Sequence, residues 1–143
     1  MLRPMTERIR LFVVEDQPKI LKNQLKLLES FSEIEIVGTA LSGEEALDEI
    51  AKLNPPPDVI LCDHRLPGFS LPEALAMVRA RDPDVPFVVV SGAIGEDAAV
   101  DVMRAGVDDF VMKDRLGRLE PVLVRALDAA ASRRRQREIE TAL

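Results

Sequence analysis

The sequence predicts an α/β fold, a doubly wound parallel sheet of five strands alternating with five helices. Three observations lead there. Short β-rich apolar runs alternate with segments of helical period along the body of the chain. The third and fourth runs, Val59–Cys62 and Phe87–Val90, are apolar at every position, as central strands covered on both faces should be. The 143 residues suit one domain with a real core and show no internal repeat or low-complexity linker.

Each element has its own signal. Ile9–Val14 (IRLFVV) is the first strand. In Pro18–Ser30, Leu21, Leu25 and Leu28 share a helical face, and Pro18 fits the first turn, where its missing N–H costs nothing. Ile34–Ala40 is the second strand. Ser42 opens the next helix, with Glu45 three residues on as the partner of a capping box. The prolines of Asn54–Asp58 end that helix before the third strand. Pro72–Ala80 reads as helix, Pro83–Pro86 as a break, and Glu96–Ala105 as helix with Gly106 at the C-cap position. Val107–Met112 is the fifth strand, and a helix begins at Leu119. Its apolar face fades near Ala130, so residues 8–131 read as the domain and 132–143 as an arginine-rich extension or tail.

Composition narrows the function. Hydrophobic residues are 47% and charged residues 31% of the chain, a folded rather than a disordered balance. No apolar run can span a bilayer and the N-terminus lacks a signal-peptide core, which predicts a cytoplasmic protein with no membrane contact. One cysteine and one histidine exclude an internal disulfide and a zinc cluster. Net charge is −6; residues 132–143 carry +2, so the body carries −8 and argues against nucleic acid. The arginine run Arg133–Arg137 reads as a solvated helix end suited to the negative end of the dipole.

In an open parallel α/β sheet, ligands gather at the carboxyl ends of the strands. The first strand ends in Glu15 and Asp16, the third in Asp63, the fourth in Ser91 and the fifth in Lys113. Three carboxylates packed together repel one another unless a cation intervenes, and a hard ion with oxygen ligands, Mg²⁺ above all, fills that need. Asp63 could then attack a phosphoryl group, with Lys113 neutralising charge and Ser91 donating a hydrogen bond. His64 neighbours Asp63, but strand alternation aims it away, and Cys62 reads as a small buried hydrophobe.

Four ordered motifs, VVEDQP, VILCDHRLPG, VVVSGA and GVDDFVMKD, resemble those of the receiver domain of two-component response regulators, in the form of a chemotaxis-regulator-like single receiver. The resemblance covers roughly residues 9–131. It implies a flavodoxin-like sheet of order 2-1-3-4-5. It implies Mg²⁺ held by Glu15, Asp16, Asp63 and the backbone carbonyl of Arg65, and Asp63 as phosphoacceptor from a histidine kinase or phosphotransfer protein. Ser91 and Lys113 would sense the phosphate, and Phe110 would rotate inward as the switch. The output would be altered binding, including a possible homodimer, through helix 4, strand 5 and helix 5, rather than enzyme turnover. The other reading kept is a phosphate-independent interaction or dimerisation module of the same fold. A haloacid-dehalogenase-type phosphatase needs a second carboxylate where Arg65 stands.

Two expectations go with the resemblance. The family usually has proline after the lysine, often cis; Asp114 stands there, and a trans peptide with a different loop is expected because a cis non-proline bond costs about 3–4 kcal/mol. With no output domain after the last helix, the chain is expected to be a stand-alone receiver or a piece of a longer regulator or hybrid kinase.

Overall fold

The computed structural model describes residues 8–64, 71–92, 100 and 102–142. Strands β1 (Ile9–Val14), β2 (Ile34–Ala40), β3 (Val59–Asp63), β4 (Phe87–Ser91) and β5 (Asp109–Met112) form one sheet of order β2-β1-β3-β4-β5. Every neighbouring pair is parallel. Helices α1 (Pro18–Glu29), α2 (Gly43–Lys52) and α3 (Leu71–Arg81) alternate with the strands. A fourth, α4, is described over residues 102–104, with Val100 also helical. A 3-10 turn, Lys113–Arg118, leads into α5 (Leu119–Ala142).

The two-residue alternation of the strands splits the core in two. On one face Leu11 and Val13, Val59 and Leu61, and Val88 and Val90 meet Leu28 of α1 and Leu119, Val122, Leu123 and Ala126 of α5. On the other, Phe12, Val14, Ile60, Cys62, Phe87 and Val89 meet Ala46 of α2, Leu75 and Val78 of α3, and Val102. Both faces are covered, which is why β3 and β4 tolerate apolar residues throughout. Among the described residues no helix is long and apolar enough to cross a membrane.

Local signals act as the sequence implies, with small shifts. Pro18 starts α1. The Ser42 hydroxyl accepts a hydrogen bond from the Glu45 amide at 3.1 Å, while the Glu45 carboxylate accepts from Leu41 N, one residue before the cap. Gly106 has φ +101°, the left-handed region glycine enters without strain, and its N–H donates to Met103 O. Strands β3 and β4 each run one residue further than the apolar pattern, to Asp63 and Ser91, because backbone pairing continues as Asp63↔Val90 and Ser91↔Met112. Conversely β5 starts at Asp109 rather than Val107, after the Gly106 cap. Of the helix expected over 96–105, residues 96–99 and 101 lie outside the described residues.

The extension differs from a tail. α5 is helical without interruption to Ala142, although burial along it ends at Ala130. Arg133, Arg134 and Arg137 are not a wholly solvated run: they lie against the buried carboxylates of Asp84 and Asp108.

Candidate functional site

At the carboxyl edge of the sheet, β1 and β3 lie side by side, so Glu15 and Asp16 leave the sheet next to Asp63. The Glu15 amide donates to Ala40 O at 3.0 Å, fixing its backbone against the end of β2. His64 N donates to Val90 O at 2.9 Å, which keeps the end of β3 against β4. Glu15 is fully buried, Asp63 and Ser91 are buried, and Asp16 is half-buried. One carboxylate oxygen from each of Glu15, Asp16 and Asp63 lies within 4.8 Å of the others.

Lys113 enters from the end of β5. Its Nζ is 2.7 Å from Glu15 Oε1 and 3.6 Å from Asp63 Oδ1. Its aliphatic stem passes Gly92, the residue after Ser91, at ordinary van der Waals distance from where a Cβ would stand. Lys113 continues straight into the 3-10 turn. The only cis peptide among the described residues is Asn54–Pro55, so the bond to Asp114 is trans, as the missing proline predicts.

Among the described residues, the acids outnumber the cation. Burial, joined by the neighbouring Asp63 and opposed by Lys113, pushes the Glu15 carboxyl up to about 7. For Lys113, burial works to lower the pKa, but its bond to Glu15 and the charges of Asp63 and Glu15 outweigh it and hold the ammonium above its usual value. Glu15 Oε2 and Asp16 Oδ1 are buried and accept no hydrogen bond. Buried anionic oxygens without donors are costly unless a cation takes them. An all-oxygen donor set that is partly exposed through Asp16 fits a hard divalent ion such as Mg²⁺, which keeps water in several positions.

The structure thus brings together Glu15, Asp16, Asp63 and Lys113, and sets Ser91 one strand from Asp63. Phe110 is half-buried in β5 and packs against the core on the α2–α3 side. The carbonyl of Arg65 lies outside the described residues, as do Pro67 and Gly68. His64 is half-buried with Nδ1 unpartnered. Burial, then the charges of Asp63 and Glu15, push the Cys62 thiol up to about 12, which keeps it an unreactive core group. Sequence reasoning missed the direct Lys113–Glu15 bond, since it assigned Lys113 to phosphate alone.

Comparison with known proteins agrees with this architecture. Residues 11–123 match the family model of the response regulator receiver domain. The protein-glutamate methylesterase/protein-glutamine glutaminase of Bacillus licheniformis is 39% identical over 107 residues, covering 73% of this chain and 29% of the enzyme. The nitrate/nitrite response regulator NarL of Escherichia coli is 29% identical over 127 residues, 88% of this chain and 56% of that protein. Among solved structures, the response regulator domain of Thermotoga maritima CheB superposes with a TM-score of 0.74 at 25% identity, covering 85% of this chain and 98% of that one. The chain spans 29–38% of the length of the methylesterases it matches.

Proposed function

Since this chain belongs to the response regulator receiver domain family of two-component systems, we propose that it is a phosphoacceptor switch whose acceptor is Asp63. The observation that carries the reading is the cluster at the carboxyl edge: three carboxylates within 4.8 Å, two of their oxygens buried without a donor, and one ammonium reaching in. Mg²⁺ held by Glu15, Asp16 and Asp63 would supply charge neutralisation for the phosphoryl oxygens. The donor is a phosphohistidine of a histidine kinase or phosphotransfer protein. An Asp63 oxygen attacks phosphorus, the P–O bond forms as the P–N bond breaks, and the departing imidazole keeps the electron pair and takes a proton. Lys113 Nζ, 3.6 Å from Asp63 Oδ1, is placed to neutralise charge on the transferred group, and Ser91 to donate a hydrogen bond to it.

The output is a change in binding. Charge-assisted bonds from Ser91 and Lys113 contribute about 1.5–3 kcal/mol each. Together they approach the roughly 5.5 kcal/mol that swings a two-state equilibrium from 1:99 to 99:1. Phe110 is the element to move: it borders a groove of about 230 Å³ shared with Met112, Arg118, Val122 and Arg125. The partner or homodimer surface is the α4–β5–α5 face, where Val100, Met103 and Val124 are exposed. Residues 8–131 form the receiver unit, and methylesterase activity is not carried over from relatives matched over so small a share. The test is incubation with acetyl phosphate, with and without Mg²⁺, followed by intact mass. The wild type gains one Mg²⁺-dependent phosphoryl group, and Asp63→Asn gains none; an unmodified wild type would favour the phosphate-independent interaction module.

A further inference from the structure

The opposite edge of the sheet carries a second cluster of buried charge. Asp108 stands just before β5. Its Oδ2 accepts from Phe87 N, the first amide of β4, at 2.8 Å and from Arg79 Nη2 of α3 at 3.2 Å. Asp108 N donates in turn to Phe87 O at 2.9 Å, so this one residue closes the starts of β4 and β5 together. Its Oδ1 accepts from Arg133 Nη1 of α5 at 2.9 Å. The same guanidinium donates through Nη2 to Asp84 O at 3.1 Å, and Arg137 Nη1 donates to Asp84 Oδ2 at 2.7 Å. Arg134 Nε completes the group at 4.0 Å from Asp84 Oδ2. Both acids are almost wholly buried, so an uncompensated charge there would be strongly unfavourable. Asp84 Oδ1 is buried without a hydrogen bond, so charge compensation from the arginines is what that residue has.

The two strands closed by Asp108 are the ones whose far ends carry Ser91 and Lys113. We propose that Arg133, Arg134 and Arg137 form a guanidinium clasp on Asp84 and Asp108. In this arrangement Asp108 is a positioning residue that sets β4 against β5 and so places Ser91 beside Lys113. The clasp stands on its own geometry, while its positioning role rests on the phosphoacceptor reading above. It ties residues 132–137 to the 8–131 receiver unit, beyond the 11–123 span of the family match. A pull on the end of α5 is then felt by the strands that bear the two phosphate-contacting side chains.

The test compares the full chain with Arg133→Gln/Arg137→Gln, with Arg135→Gln as an exposed control, and with Leu28→Ala as a core variant on α1, outside the clasp. Two readouts are taken below the unfolding temperature: amide hydrogen exchange, and the rate of Mg²⁺-dependent labelling by acetyl phosphate. The clasp variant should exchange at least about ten-fold faster over 132–142 and at the starts of β4 and β5. Its labelling should slow by roughly three- to ten-fold. Arg135→Gln and Leu28→Ala should label at the wild-type rate. Labelling unchanged in the clasp variant, or slowed equally by Leu28→Ala, overturns the positioning role; unchanged exchange overturns the clasp. A wild type that never labels removes the phosphoacceptor reading and the positioning role with it, and the exchange data still decide the clasp.

Discussion

The two edges of this sheet solve opposite electrostatic problems. At the amino edge, Asp84 and Asp108 face guanidinium groups from Arg79, Arg133, Arg134 and Arg137. At the carboxyl edge, among the described residues, Glu15, Asp16 and Asp63 face one ammonium, that of Lys113. Buried acids matched by fixed cations are structural: they hold α3, α5 and two strands in register. Buried acids that outnumber the described cation beside them suit a ligand that brings positive charge. The sign of the imbalance, more than the presence of carboxylates, separates scaffold from site.

The same kind of substitution should therefore act in opposite directions at the two edges. Largest is Asp108→Ala, which strands two arginines and the Phe87 amide; it should cost about 3–5 kcal/mol in urea denaturation. Glu15→Gln removes a ligand charge instead, and Mg²⁺ affinity measured by calorimetry should fall by roughly ten- to a hundred-fold, about 1.4–2.7 kcal/mol.

The metal-free chain should also respond to pH through Glu15, whose pKa in the folded state, about 7, lies above its ordinary 4.5. The folded form then holds the proton more tightly. That stabilisation is fully present below pH 4.5 and is lost as pH rises through 7, amounting to about 1–3 kcal/mol between pH 5 and 8. Urea titrations at the two pH values should show the loss in wild type and not in Glu15→Gln. Saturating Mg²⁺ should reverse the trend, since the ion competes with the proton. The smallest effect is Asp63→Asn without metal, which relieves repulsion and should stabilise the fold by about 1 kcal/mol in thermal melts. A destabilisation there would mean that the carboxyl edge is already balanced, like the amino one.

How far the sequence could be read follows the same division. The apolar runs Val59–Cys62 and Phe87–Val90 announced central strands because burial on both faces leaves no polar position in them. The apolar runs stop one residue short of the strand ends: Asp63 and Ser91 are polar, yet their backbones stay paired. The candidate site residues were legible because they stand at the ends of strands, a position that chain order reveals. The clasp was not. Arg133 and Arg137 meet Asp84 across 49 and 53 positions of sequence, and in the linear pattern the run looked like a solvated helix end. The Lys113–Glu15 bond was hidden similarly, since it spans β1 and β5, which are not neighbours in the sheet.

The central claim is that the under-compensated edge receives a phosphoryl group on Asp63, and chemical trapping tests it most directly. Borohydride reduces an aspartyl phosphate to homoserine, marking the acceptor in the chain. After acetyl phosphate and Mg²⁺, peptide sequencing should find homoserine at position 63, and none when Mg²⁺ is withheld. A reduced residue at position 15 or 16 instead, or no reduced residue in protein that binds Mg²⁺, would contradict the assignment.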